Sequence, residues 1–222
     1  MKCDLHCHTI YSYDSATPPE KMVETAIKKG IDCLAITDHG KIKGAEKAIE
    51  YAKGKPILIM PGIEIKSRKG DILGLNVKKI IPNNLSVKET IKKIKEAGGI
   101  AIIAHPFGYF RRFKGNLKNF INNIDGIEAF NASIFGPGNK KALDVVKEFN
   151  LPFTAGSDAH FPNVVGKAFL EIPGNNLSVE EVINKIKNRE GKIIGSEFNL
   201  FEKLIDRLKR GLAKIGYKIK IC

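Results

Sequence analysis

An α/β fold assembled from strand–helix units is predicted by three features of the sequence. Short apolar runs rich in Ile, Leu and Val alternate with amphipathic segments of helical period. Several of those segments open or close on residues that cap helices. The residues of chemical interest gather at or just past the ends of apolar runs, where a parallel αβ sheet presents its C-terminal strand ends to one crevice.

The elements follow in order. Strands are expected at Lys2–His8, Cys33–Thr37, Ile57–Ile65, Asp71–Val77, Ile100–Ala104, Gly126–Phe130, Phe153–Ala155 and Ala168–Ile172. Helices are expected near Pro18–Lys29, Gly44–Lys53, Val87–Ala97, Leu117–Ile121, Asn139–Phe149 and Val179–Lys187. Thr17 before Pro18 reads as an N-cap followed by an N1 proline. Ser86 and Ser178 read as N-caps ahead of Glu89 and Glu181, and Gly30 and Gly98 as helix stops. A last helix, about 196–215, aligns Phe198, Phe201, Leu204, Ile205, Leu208, Leu212 and Ile215 on one face and Lys203, Arg207, Lys209 and Arg210 on the other. A basic amphipathic helix can rest on a membrane or a partner, but packing of the apolar stripe against the domain is the expected arrangement. Neither linker, low-complexity segment nor repeat interrupts the pattern, so residues 1–222 are expected to form one domain.

At 222 residues, with 43% hydrophobic and 27% charged residues, the chain can bury a core without staples. No run approaches the roughly 18 apolar residues of a membrane span, and Met1-Lys2 leads straight into Cys3-Asp4-Leu5-His6 without room for a signal peptide. Four cysteines with no CxxC pair are those of a reduced, cytoplasmic protein. The formal net charge of +13 points to an anionic partner, either a phosphate ester, a nucleotide or nucleic acid. Lys-rich solvated helix faces are the plainer explanation of that charge.

The five histidines are His6, His8, His39, His105 and His160, in DLHCH, ITDHG, IIAHP and GSDAH. Residues two apart on a strand share a face, so His6 and His8 form a pincer, with Asp4 on their side as a partner for a ring N–H. Asp38-His39, Asp158 with His160, and Glu64 in PGIE repeat the acid–imidazole theme at other strand ends. Neutral imidazole and carboxylate oxygen together suit Zn, Mn or Fe, and a bridging carboxylate can hold two such ions. Taken singly, Asp38 and Asp158 could cap turns and His105 could be a packed loop residue.

In this order, DLHCH, ITDHG, GIE, IAHP, IEAFNA and AGSDAH resemble the motifs of the PHP (polymerase and histidinol phosphatase) superfamily, over residues 2–172. The resemblance implies a distorted seven-stranded βα barrel, (βα)7, with two or three divalent metal ions at the C-terminal strand ends. It is similar most of all to the stand-alone metal-dependent phosphoesterases. By motif, His6, His8, Glu64 and Asp158 resemble the ligands of a first metal. Glu64 would bridge to a second, shared with His105 and with Asp71 of GDILGL. His39, His160 and Asp14 would hold a third. Asp71 stands where the family commonly has His; as a ligand it would shift preference toward Mn or Mg, and as a turn residue it would leave the second metal weakly held.

The implied reaction is hydrolysis of a phosphate monoester or nucleotide, a nucleoside bisphosphate among them, by a metal-activated hydroxide. Asp158 would orient that hydroxide, and His160 is a candidate to protonate the leaving alkoxide. Arg111 and Arg112 are placed by sequence to grip the phosphate, with Lys41 and Arg68 as weaker candidates. Two other readings are open. One is exonuclease-type trimming of RNA or DNA ends, favoured by the basic charge but lacking an aromatic platform for bases. The other is a non-catalytic nucleic-acid-binding subunit, which a full histidine set disfavours.

Overall fold

The computed structural model describes residues 1–108 and 112–216. Among these residues the order is β1 (Lys2–Cys7), α1 (Pro19–Lys28), β2 (Cys33–Ile36), α2 (Lys43–Ala52), β3 (Leu58–Ser67), β4 (Gly70–Leu75), α3 (Val87–Glu96), β5 (Ile100–Ile103), β6 (Gly126–Asn131), α4 (Pro137–Phe149), β7 (Phe153–Gly156), β8 (Ala168–Glu171), α5 (Val179–Lys187), β9 (Lys192–Gly195) and α6 (Leu200–Lys214). Strands such as β2 and β5 are buried along their whole length, because helices cover one side of the sheet and other strands the other. Alternate residues of β2 serve two different cores. Cys33 and Ala35 pack with Cys3, Leu5, Met60, Leu73 and the α5 residues Val182 and Ile186. Leu34 and Ile36 pack with Met22, Val23, Ala45 and Ala48 of α1 and α2.

The strands form one sheet in the order β7-β6-β5-β4-β3-β2-β1-β8-β9. That sheet rolls until β7 meets β1. Asp158 N–H donates to His6 O at 2.8 Å and His8 N–H to Ala159 O at 2.8 Å. A Cβ on Gly156 would lie 2.5 Å from the His6 Cβ, so this seam admits only glycine. The result is a nearly closed α/β barrel, as expected.

Not every pairing is parallel. β1/β2, β2/β3, β5/β6 and β6/β7 are, whereas β3/β4, β4/β5, β1/β8 and β8/β9 are antiparallel. β3 and β4 are joined by a turn at Ser67–Gly70, too short for the crossover a parallel pair needs. β9 was not expected. It is a short, partly exposed edge strand whose KIIG run carries little pattern.

Capping boxes at Ser86/Glu89 and Ser178/Glu181 form as read, and Gly30 and Gly98 adopt φ of 68° and 79°. Thr17 is not an N-cap: α1 begins at Pro19, and the Thr17 hydroxyl donates to His160 O at 3.0 Å. Leu117–Ile121 is reduced to a 3-10 turn at Leu117–Asn119. The last helix is also corrected. Its apolar stripe faces outward, with Phe201, Leu204, Leu208 and Ile215 62–76% exposed. The polar face is the one seated on the barrel, through Glu202–Lys167 (2.6 Å) and Arg210–Asp14 (2.8 Å). The neighbours waiting there are the charged groups of the site, so a polar face suits them better than an apolar one. No helix among the described residues is long and apolar enough to cross a membrane.

Candidate metal centre

The strand-end loops bring all five histidines together. β1 carries His6 and delivers His8, the loop after β2 carries His39, β3 carries Glu64, and His105 follows β5. Asp158 and His160 follow β7, and His105 and Asp158 adopt positive φ (28° and 54°), a strained conformation of the kind that fixes side-chain direction at sites. His6, His8, Asp14 and His160 are wholly buried, and Glu64, His105 and Asp158 nearly so.

Two carboxylate oxygens approach the paired His6 and His8 nitrogens. His6 Nε2 and His8 Nε2 are 3.1 Å apart. Glu64 Oε2 is 3.5 and 3.3 Å from them, and Asp158 Oδ1 is likewise 3.5 and 3.3 Å away. Ligands about 2.0–2.1 Å from a shared centre are separated by roughly 3.3–3.4 Å, and His6, His8 and Asp158 form one such close group while Glu64 joins His6 and His105 in another. Glu64 Oε1 lies 3.1 Å from His105 Nε2 and starts a second group. Asp14 Oδ1 lies 3.4 Å from His39 Nε2 and 3.2 Å from His160 Nε2, which makes a third. His39 Nε2, Glu64 Oε2, Asp158 Oδ1 and His160 Nε2 are buried yet make no hydrogen bond. Buried polar atoms are rarely left so, and a bound cation would satisfy them.

The rings are aimed from behind. His6 Nδ1 meets Glu128 Oε1 at 2.9 Å. His8 Nδ1 meets Ser12 Oγ at 3.0 Å, and since Ser12 gives its proton to Asp38 Oδ1 (2.8 Å), the ring must donate. His160 Nδ1 donates to the carbonyl of Asp158 at 2.9 Å. Each bond turns a lone pair on Nε2 toward the centre, the tautomer that a metal ligand needs. Ser133 Oγ lies 2.8 Å from Asp158 Oδ2 and 2.7 Å from Asn131 Oδ1, its one proton shared between the two acceptors, and so steadies that carboxylate.

Electrostatics favour a cation in the cluster. Burial disfavours the His6 imidazolium, but Glu128, Asp158 and Glu64 outweigh it and raise the group well above its usual value. Burial likewise opposes the His39 cation, yet Glu64 and Asp14 push its pKa up to about 9. Burial would raise Glu64 and Asp158, but the surrounding imidazoles hold both well below the carboxylate range. His8, unlike His6 and His39, goes down, through burial and the nearby His160 and His39. A metal ion must therefore displace protons from the cluster.

Several expected residues stand elsewhere. Asp4 does not orient a histidine ring; it accepts from Ser157 N–H, Ser157 O–H and Gly166 N–H, pinning the turn after β7. Glu128 does that work instead, and also accepts from His105 N–H at 2.8 Å. Asp38 binds Thr9 and Ser12, the turn-holding role. Asp71 pairs across the ladder with Lys66, two pairs beyond Glu64 with Leu73, and joins none of the close donor groups among the described residues. It does line a pocket of about 270 Å³ beside the centre, with His39, Glu64, Arg68 and Arg112. Arg112 is thus exposed at the rim, Arg111 lies outside the described residues, and Lys41 is exposed away from this pocket. Ser12, Ser133 and Arg210 were not foreseen. Ser12 follows His8 by four residues, a spacing that offered some signal, whereas Arg210 reaches Asp14 across 196 residues and offered none.

Residues 4–166 match the PHP domain, and the chain belongs to that family. It is 40% identical to one uncharacterized protein of Methanocaldococcus jannaschii, over 60% of this chain and 82% of that one. A second from the same organism is 31% identical over 91% of this chain and 86% of its own. A 5'-3' exoribonuclease of Haemophilus influenzae is 33% identical, but over 46% of this chain and 38% of that one. Among solved structures, a two-domain protein of Bacteroides vulgatus containing a predicted PHP-like metal-dependent phosphoesterase superposes with a TM-score of 0.75. Its identity is 19%, over 95% of this chain and 69% of that chain, so it speaks to the fold.

Proposed function

We propose that the protein is a metal-dependent phosphoesterase that hydrolyses a phosphate monoester or nucleotide. The observation that carries this reading is the convergence on the His6 and His8 Nε2 atoms, 3.1 Å apart, of Glu64 and Asp158 oxygens each 3.3–3.5 Å from both, with the rings' far nitrogens bonded outward. These four would hold a first ion, Glu64 and His105 a second, with Asp71 in the adjoining pocket, and Asp14, His39 and His160 a third. Divalent ions there would supply a water of lowered pKa and neutralise charge on the phosphoryl oxygens. The chain's own part is positional. Glu128 and Ser12 keep His6 and His8 in the correct tautomer. Asp158, held by Ser133 through Oδ2, would orient the attacking water with Oδ1, and His160 would hand a proton to the leaving oxygen when its Nε2 carries a proton rather than a third ion. Lys66, Arg68, Lys69 and Arg112 around the adjoining pocket would draw in the anionic substrate.

Mn-loaded protein should hydrolyse p-nitrophenyl phosphate or a nucleoside bisphosphate, and His8→Ala should reduce the rate to background. Equal inertness of wild type and mutant would refute the proposal. A second reading, trimming of RNA or DNA ends, is favoured by the exoribonuclease relative and by the +13 charge. It predicts release of mononucleotides from a short oligonucleotide at the same centre. A binding-only role is disfavoured by the intact donor set; tight RNA binding with a steep salt slope and no turnover would favour it.

A further inference from the structure

A cleft of about 770 Å³ runs from the donor cluster to α6, and its far wall is not used by the chemistry above. His105 and Asp158 stand at one end. Phe135 and Phe198 give it an apolar side, and α6 contributes Lys203, Asp206 and Arg210. These three recur at i, i+3 and i+7 and so share one face of the helix. α6 lies beyond the residues that match the family.

Two atoms in this wall are buried without a hydrogen-bond partner, Lys203 Nζ and Asp206 Oδ1. The Lys203 ammonium lies 4.0 Å from the Phe135 ring centroid and 3.9 Å from Glu197 Oε2, the latter too long for a hydrogen bond. Arg210 does not satisfy Asp206: its Nη1 is 3.7 Å from Asp206 Oδ2, while Nη2 bonds Asp14 at 2.8 Å. An ammonium and a carboxylate, each short of a partner and one turn apart in a cleft that opens on the centre, are what a ligand with both an anion and a hydroxyl would complete.

We propose that Lys203 and Asp206 are the specificity-determining pair for the alcohol side of the ester. Lys203 holds a second anionic group of the substrate, and Asp206 accepts a hydrogen bond from one of its hydroxyls. Phe135 and Phe198 flank the sugar or ring between them. The preferred substrates are then phosphate esters of hydroxylated alcohols bearing a further anion. This inference rests on the phosphoesterase reading.

The test compares kcat/KM of Mn-loaded wild type, Lys203→Ala and Asp206→Ala on three probes. These are p-nitrophenyl phosphate, adenosine 5′-monophosphate and adenosine 3′,5′-bisphosphate. Lys203→Ala is expected to lower the bisphosphate-to-monophosphate ratio at least tenfold, with Lys203→Arg restoring most of it. Asp206→Ala is expected to lower the monophosphate-to-p-nitrophenyl ratio at least tenfold. Should an alanine variant fail to fold, Lys203→Gln and Asp206→Asn carry the same ratios, with metal content as the control for an intact centre. Ratios within twofold of wild type overturn the pair, as does a wild type active on p-nitrophenyl phosphate alone. A wild type inert toward all three overturns the phosphoesterase reading itself.

Discussion

Glu128 is the residue on which the aim of the cluster depends most. One carboxylate oxygen faces His6 Nδ1 and the other takes His105 N–H and Asn131 Nδ2, so a single side chain fixes two candidate ligands. Glu128→Gln keeps the volume but removes the charge that does most to support the His6 cation. We expect metal affinity about 10–100-fold weaker, by competition with a chelating dye, and a lower His6 pKa by NMR titration. The sequence foretold the His6–His8 pincer, because strand parity alone dictates it. It misassigned their supporting carboxylate, because Asp4 is near in sequence whereas Glu128 arrives from a strand 122 residues away. Local spacing reveals ligands that share an element, not partners that only the barrel's closure brings together.

At the scale of elements, the helices with explicit caps were the most legible. In α5, Ser178 accepts from Glu181 N–H while Glu181 reaches back to Ser178 N–H, satisfying two end groups at once. Ser178→Ala should cost about 1 kcal/mol in urea-induced unfolding and leave turnover unchanged, since α5 stands apart from the donor cluster. The strands around the centre were also legible as apolar runs. What the pattern concealed was direction. β4 reverses against β3 because the turn between them is short, β8 runs antiparallel to the distant β1, and runs buried on both faces look alike whichever way they pair. α6 was legible as an amphipathic helix but not in its orientation. A hydrophobic stripe announces a covered face only when nothing polar competes, and here Asp14, Lys167 and the cleft do compete.

Taken as a whole, the barrel gathers carboxylates and imidazoles so that a positive charge among them stabilises the fold. Without metal that charge is carried partly by protons. The folded-state pKa of His39, about 9, lies above its unfolded value near 6.5, so its contribution is full below pH 6.5 and is lost as pH rises through about 9. His6 and His105 are raised as well and act in the same direction. His8 is lowered, so its opposite effect is confined below pH 6.5. Chelator-treated protein should therefore melt at a lower temperature at pH 9 than at pH 6.5. Mn-loaded protein should lose far less over that range, because the metal replaces the protons and adds stability by mass action. Equal losses with and without metal would mean that the cluster is not where the charge resides.

A polynuclear metal centre at one end of the barrel would be seen in metal-soaked crystals. Anomalous scattering from Mn should give at least two peaks per chain. One should lie among His6, His8, Glu64 and Asp158, and another beside Glu64 and His105. His8→Ala should abolish the first. Absence of any peak among these side chains at saturating Mn, or a first peak unchanged in His8→Ala, would contradict the claim.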